Sequence, residues 1–187
     1  NNITANESTI EGTNKVIIAG FNLYKYIEGN HLVMLPDTDF GVAAMGASLS
    51  GYKGTNLHQE ILNGASASIS SQLETIFTTH LKSYSTKLVN SLNDSGLPGS
   101  TEDTILKIIL LNEIEITGSR IWGANGYNIG NENIKLPIFN FISPFGNRYW
   151  LRDIITEDNY CNTSYDGEIS SEVATEESGI KAKFIIG

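Results

Sequence analysis

"NRYWLRDIITEDNYCNTSYDGEISSEVATEESGIKAKFIIG", residues 147–187, is the stretch whose reading decides the fold. RYWLRDI has the aromatic and β-branched content of a strand. DNYCNTSYDGEISSEV then reads as a hairpin, because Asp166-Gly167 supplies the backbone freedom of a tight turn. IKAKFII is a final strand, with Ile180, Ala182 and Phe184 alternating onto one face. Alternation through NYCNTSY sends Asn159, Cys161, Thr163 and Tyr165 to one side and Tyr160, Asn162 and Ser164 to the other. A lone thiol behaves as a small hydrophobe and belongs inward. Trp150, Leu151 and Cys161 are therefore expected in the core. Tyr160, Asn162 and Ser164 are expected to face out, with Glu168, Ser170 and Glu172 continuing that face beyond the turn.

Upstream, residues 1–14 are polar and without period, which predicts an arm or linker ahead of a single domain at 15–187. KVIIAGFNLYKYIEGN predicts one or two short strands before a Gly29-Asn30 turn, and HLVMLP a brief buried strand. GVAAMGASLSGYKGTN is Gly- and Ala-rich and predicts a loop packed closely on other backbone. TNLHQEILNG predicts a short helix with Thr55 as N-cap and Gly64 as its stop. Ile69, Leu73, Ile76, Phe77 and Leu81 recur at helical spacing, so a second helix is expected over 68–82. SYSTKLVNSL reads as a strand and NDSGLPGSTED as a loop. TILKIILL reads as a buried strand. The alternation Glu113-Ile114-Glu115-Ile116 extends it as a half-exposed one, with both carboxylates on a solvated face. GANGYNIGNEN is a long Gly/Asn loop, and LPIFNFI a short apolar segment. The pattern is α+β, with two early helices packed on short antiparallel strands.

Composition narrows the function. Apolar residues make up 40% and charged residues 18%, a globular balance. Twelve basic against twenty-one acidic residues leave a net charge of -9, so no chain-wide basic footprint for nucleic acid exists. The apolar run Ile105–Leu111 is interrupted by Lys107 and too short to span a bilayer, so no membrane insertion is expected. A single cysteine, Cys161, excludes an internal disulfide. The sequence opens without Met or a basic-apolar leader, so it is expected to be a piece of something longer. Asn-x-Ser/Thr triplets begin at Asn2, Asn6, Asn93 and Asn162, a frequency that an Asn-rich chain reaches by chance.

The chemistry-bearing residues form no catalytic motif. His31, His58 and His80 are scattered without metal-ligand spacing. Gly-rich phosphate loops, nucleophile elbows and zinc-protease motifs are absent. Acidic groups at Asp37/Asp39, Glu113/Glu115 and Asp153/Glu157/Asp158 could act as acid and base only in perturbed environments, and none has Ca²⁺-loop spacing. Cys161 would need a neighbouring base and a low pKa to be a nucleophile. Trp150 reads as a core aromatic, and Arg152 as the partner of a nearby carboxylate. No catalytic residue, metal or cofactor is expected.

The ordered segments LLNEIEITGSRIWGANGYNIGNENIKLPIFNF, RYWLRD, NYCNTSYDGEI and ESGIKAKFIIG do carry a resemblance. Together with HLVMLPDTDFG and GYKGTNLHQEIL, they are similar to C-type-lectin-like domains at the C-terminal ends of tail and fibre proteins. Those proteins belong to phages, prophages and phage-tail-like bacteriocins of Firmicutes. The resemblance covers about residues 30–187. It implies a C-type-lectin-like fold related to formylglycine-generating enzymes. It also implies a receptor-binding role at a virion or particle tail tip, outside the cell, toward a bacterial surface protein or glycan, and it carries a homo-oligomer, by fibre precedent a trimer. Carried onto this chain, the ligand surface comprises Tyr149, Thr156, Asp158, Asn159, Tyr160, Asn162, Ser164, Tyr165, Glu168 and Ser170. Tyr, Ser and Asn are also what adaptable binding surfaces use. Gly179-Ile180-Lys181-Ala182 stands where the family has Gly-Val-Arg-Pro. The enzyme's cysteine pair and the lectin Gln-Pro-Asp or Glu-Pro-Asn motif are missing, which removes support for oxidase chemistry and Ca²⁺-dependent sugar binding. Two other readings remain: a surface hydrolase using a carboxylate pair, and a structural fibre or baseplate domain whose same surface is a subunit interface.

Overall fold

A four-stranded antiparallel sheet is built around the last strand of the chain. In the computed structural model, which describes residues 15–46, 50–123, 133–142 and 147–187, its order is β1-β2-β11-β6. These strands are β1 (Val16–Phe21), β2 (Leu32–Pro36), β6 (Ile108–Leu110) and β11 (Ala182–Ile186). The arm expected at 1–14 and most of the loop at 123–133 lie outside the described residues. Because β11 is central, Ala182, Phe184 and Ile185 are all buried, and so is the intervening Lys183.

A second, three-stranded sheet joins β7 (Trp150–Thr156), β8 (Asn159–Thr163) and β9 (Ile169–Val173) in an antiparallel meander. Two ribbons complete the β-structure. One pairs β3 (Val42–Ala44) with β10 (Glu177–Gly179), within a segment read from sequence as loop. The other pairs β4 (Tyr84–Val89) with β5 (Thr101–Leu106). Contacts between units are specific: the Arg152 N–H donates to the Leu111 carbonyl at 2.9 Å, and the Trp150 indole to the Ala43 carbonyl at 2.8 Å. The whole is a mixture of helix and strand with few helices.

The early helices form where the sequence places them, with altered ends. Leu57–Leu62 is a π-helical segment. The N-cap position falls on Asn56, but the Thr55 hydroxyl still accepts from the His58 N–H at 3.2 Å. The helix expected over 68–82 is α1, Ile69–Phe77, capped by Ser68. It ends early because Thr78 takes a positive φ of 49°, after which one 3-10 turn, Thr78–His80, leads away. LPIFNFI also contains a 3-10 turn, Pro137–Asn140.

The main departure from the expected fold is at Glu113–Thr117, which is helix α2 rather than an alternating strand. Asn112 caps it: its side chain accepts from the Glu115 N–H at 2.8 Å, while the Glu115 carboxylate accepts from the Asn112 N–H at 2.9 Å. This reciprocal box satisfies two donors that an isolated helix start leaves open. A five-residue helix is too short to display a 3.6-residue period. Four residues of apparent alternation were therefore a false strand signal. Glu113 and Glu115 are fully buried, not on a solvated face.

Candidate functional site

The hairpin β8–β9 closes through a three-residue loop, Tyr165-Asp166-Gly167. Ser164 N–H donates to the Glu168 carbonyl at 2.8 Å, and Gly167 N–H to the Ser164 carbonyl at 3.0 Å. Gly167 has φ 80°, the left-handed position such loops require. The Ser164 hydroxyl accepts from the Glu168 N–H at 3.2 Å and stiffens the turn further. Tyr165 stands at this tip with 70% of its surface exposed.

The strands below the tip do not present the face expected of them. Cys161 is buried, as its chemistry requires, but Tyr160 and Asn162 on the opposite face are buried too. The reason is that β8 is covered on both sides. Asn162 lies opposite Trp150, whose indole reaches the Ala43 carbonyl, so the β3–β10 ribbon closes that face. Arg148 closes it further by joining Glu172 at 2.9 Å to the Glu177 carbonyl at 3.0 Å. Toward the other face lie Asp153 and Glu113, close enough to Cys161 to act on its thiol, whose pKa is pushed up mainly by burial and then by these charges. A thiol so placed stays protonated and is no nucleophile.

Of the ten residues expected to bind ligand, Tyr149, Tyr160 and Asn162 are therefore interior. Burial pushes the Tyr149 and Tyr160 hydroxyls up, and the Lys181 ammonium sits 5.3 Å above the Tyr149 ring. Asn159, Ser164 and Ser170 are half-buried, and Thr156, Asp158, Tyr165 and Glu168 are exposed. These exposed residues fall into two groups at opposite ends of β8. Thr156 and Asp158 lie at the β7–β8 turn, and Tyr165 and Glu168 at the tip. A five-residue strand keeps the groups about 14 Å apart.

The tip gains an aromatic neighbour from a distant part of the chain. Trp122, 53% exposed, donates its indole N–H to the Ile169 carbonyl at 3.0 Å, at the root of the hairpin loop. Its backbone is held from below: Glu113 accepts from the Trp122 N–H and from the Gly123 N–H, each at 2.8 Å. Trp122 and Tyr165 thus mark one end of the three-stranded sheet with two accessible aromatic rings. Glu168 and the half-buried Ser164 supply its polar groups. No pattern in the sequence joins Trp122 to Tyr165, because 43 positions separate them along the chain.

Beneath this end lies a buried charged cluster. Glu115 contacts Lys183, accepts from the Tyr24 hydroxyl at 3.1 Å and lies 3.8 Å from Arg152, as the expected carboxylate partner of that arginine. Asp153 accepts from the Glu113 N–H at 2.7 Å, and its second oxygen has no hydrogen-bond partner among the described residues. Burial first, and then the Glu113 and Glu115 carboxylates, push Asp153 up to about 7 against the opposing pull of Arg152. Among the described residues no group of three or more His, Cys, Asp or Glu side chains could hold a metal ion.

A groove of about 550 Å³ runs between Tyr26–Glu28 and β4. Its acidic groups are Glu28 and Asp103, the latter 3.5 Å from Lys87 and 70% exposed. No helix among the described residues is long and apolar enough to cross a membrane. No family model, curated protein or solved structure matches the chain.

Proposed function

We propose that this chain is a receptor-binding domain that adsorbs a phage tail fibre or phage-tail-like particle to a bacterial surface protein or glycan. It acts at the tail tip, outside the cell, through the hairpin tip and the adjoining Trp122 segment. A C-type-lectin-like architecture and a trimeric fibre assembly belong to the same proposal, as does the absence of enzymatic activity. The observation that carries it is the pairing of exposed Trp122 and Tyr165 at one end of the sheet, the first held by its N–H on Glu113 and its indole on Ile169, the second within a loop closed by the Ser164–Glu168 hydrogen bond. Exposed aromatics that lose little freedom on contact are the usual anchors of binding surfaces. Weak contacts of this kind gain strength when several copies engage one cell.

Three features favour this reading over the others. The carboxylates that the fold brings together, Glu113 and Asp153, are buried and committed to backbone N–H groups. Asp103 in the surface groove is ion-paired and lacks the burial that a general acid needs. Trp150, Tyr149 and Tyr160, the anchors a structural interface would use, lie inside this chain.

Adsorption of the fluorescently labelled chain to intact Firmicutes cells tests the proposal. Trp122→Ala and Tyr165→Ala should each reduce adsorption by about tenfold or more, as interface hot spots do. Wild-type adsorption by the doubly substituted chain would overturn it. Alanine at Tyr160 or Asn162 reports on folding instead, since both are interior.

A further inference from the structure

The surface just proposed rests on a segment whose only described backbone anchor is one buried carboxylate. Glu113 holds the Trp122 and Gly123 N–H groups, one with each oxygen, at 2.8 Å. Glu113 is held in turn by its place in α2 and by its own N–H, which donates to Asp153 at 2.7 Å. Gly123 is where the two acids meet. A Cβ built there would lie 2.6 Å from Glu113 Oε1 and 3.3 Å from Asp153 Oδ1. Only a residue without a side chain fits, and the two oxygens come within the range at which like charges perturb one another.

We propose that Asp153 and Glu113 form a buried proton switch that sets the position of Trp122, and hence the binding state of the hairpin-tip surface. The regulation rests on the assignment of that surface as the receptor site; the switch itself does not. Among the described residues, four charged or titratable groups act on or face Asp153. Arg152 adjoins it on β7, Glu113 and Glu115 face it from α2, and Cys161 faces it from β8. Arg152 acts on Asp153 while also lying 3.8 Å from Glu115, and Lys183 contacts Glu115. Asp153 Oδ1 is fully enclosed and unpartnered among the described residues.

With Asp153 protonated, Glu113 keeps both of its N–H donors and meets no negative charge across Gly123. Loss of that proton places a negative charge across Gly123 from the Glu113 carboxylate, and the attraction of Arg152 for Asp153 works against their repulsion. Asp153 is fixed within a strand and Glu113 within a capped helix. Among the described residues, the Trp122–Gly123 segment is joined to the rest by the Glu113 carboxylate and the Trp122 indole contact, and it is the element that yields. Burial raises Asp153 to about 7, which puts this change near neutral pH.

The chain labelled with 5-fluorotryptophan should give two resonances, one for each of its two tryptophans, and Trp122→Phe assigns the pair. The Trp122 resonance is expected to shift with a midpoint near pH 7, while Trp150 stays fixed. Asp153→Asn should abolish that shift and hold the low-pH position throughout, since the amide keeps an acceptor for the Glu113 N–H and carries no charge. Should Asp153→Asn fail to fold, Glu113→Gln, which also removes one charge of the pair, should likewise abolish the titration. A Trp122 resonance that is flat across neutral pH, or one that titrates unchanged in either variant, would overturn the switch. Adsorption to cells at about pH 6 and about pH 8 separates the two ideas. An intact titration with adsorption indifferent to Trp122 removes the receptor reading and leaves the switch standing.

Discussion

Two hairpins in this molecule have similar sequence credentials and opposite surroundings. In β4–β5, Tyr84, Thr86 and Leu88 are buried while Ser85 is exposed, and Ile105 opposite Ser85 is 76% exposed. Period-two reasoning holds there because one face meets water. In β7–β8, Tyr160, Cys161, Asn162 and Thr163 are buried in succession. A strand covered on both faces loses its alternation. The difference places function as well: a strand face with no contact to solvent cannot bind anything, so only the ends of β8 remain available. The face that reads from sequence as a polar recognition surface is a polar core, and the proposed recognition surface lies at the tip.

The sharpest way to break this contrast is truncation on each hairpin. Tyr160→Ala should cost about 4 kcal/mol of unfolding free energy, because a large buried ring leaves a cavity. Ile105→Ala should change stability by less than about 0.5 kcal/mol. Urea denaturation of both variants reads the two values, and a mild Tyr160→Ala would mean that its face is open. Next in size is the charged core under β11. Lys183→Met should cost about 3 kcal/mol, since it strands the Glu115 carboxylate away from its buried cation. Conversion of both Lys183 and Glu115 to apolar residues should recover part of that loss.

The last test is a pH dependence. Asp153 holds its proton in the folded state up to about 7, against an ordinary 3.8. Its contribution to stability is therefore fully present below the ordinary carboxylate range and is lost as pH rises through about 7. His58 acts oppositely: burial, then Lys53 and Arg152, push it down to about 4, so its contribution fades as pH falls below 6.5. The difference between wild type and Asp153→Asn in thermal unfolding isolates the aspartate. Wild type should lose ground to the variant as pH climbs from the ordinary carboxylate range through about 7, read as a falling difference in melting temperature.

Much of the fold was legible in local chemistry. The start of α1, the Asp166-Gly167 loop, the terminal strand and the inward Trp150 and Cys161 each follow from what one or two residues can do without neighbours. The α2 helix was legible too, through Asn112-x-x-Glu115, but that box competed with a four-residue alternation that satisfied the strand rule equally well. Half of the candidate site was not legible. Thr156, Asp158, Tyr165 and Glu168 are accessible as expected. The burial of Tyr149, Tyr160 and Asn162 depends on the distant β3–β10 ribbon, and Trp122 reaches the hairpin only through the folded chain.

The sequence by itself determined the elements of this protein: where chain turns, where helices begin, and which strands contain enough apolar side chains to be buried. Those properties arise within a few residues, from backbone geometry and capping. Tertiary structure alone decided which polar residues meet solvent and which carboxylates meet each other. Burial and charge proximity are properties of segments brought together from far along the chain. Asp153 and Glu113, forty positions apart in sequence, acquire their chemistry only once a glycine lets them face one another.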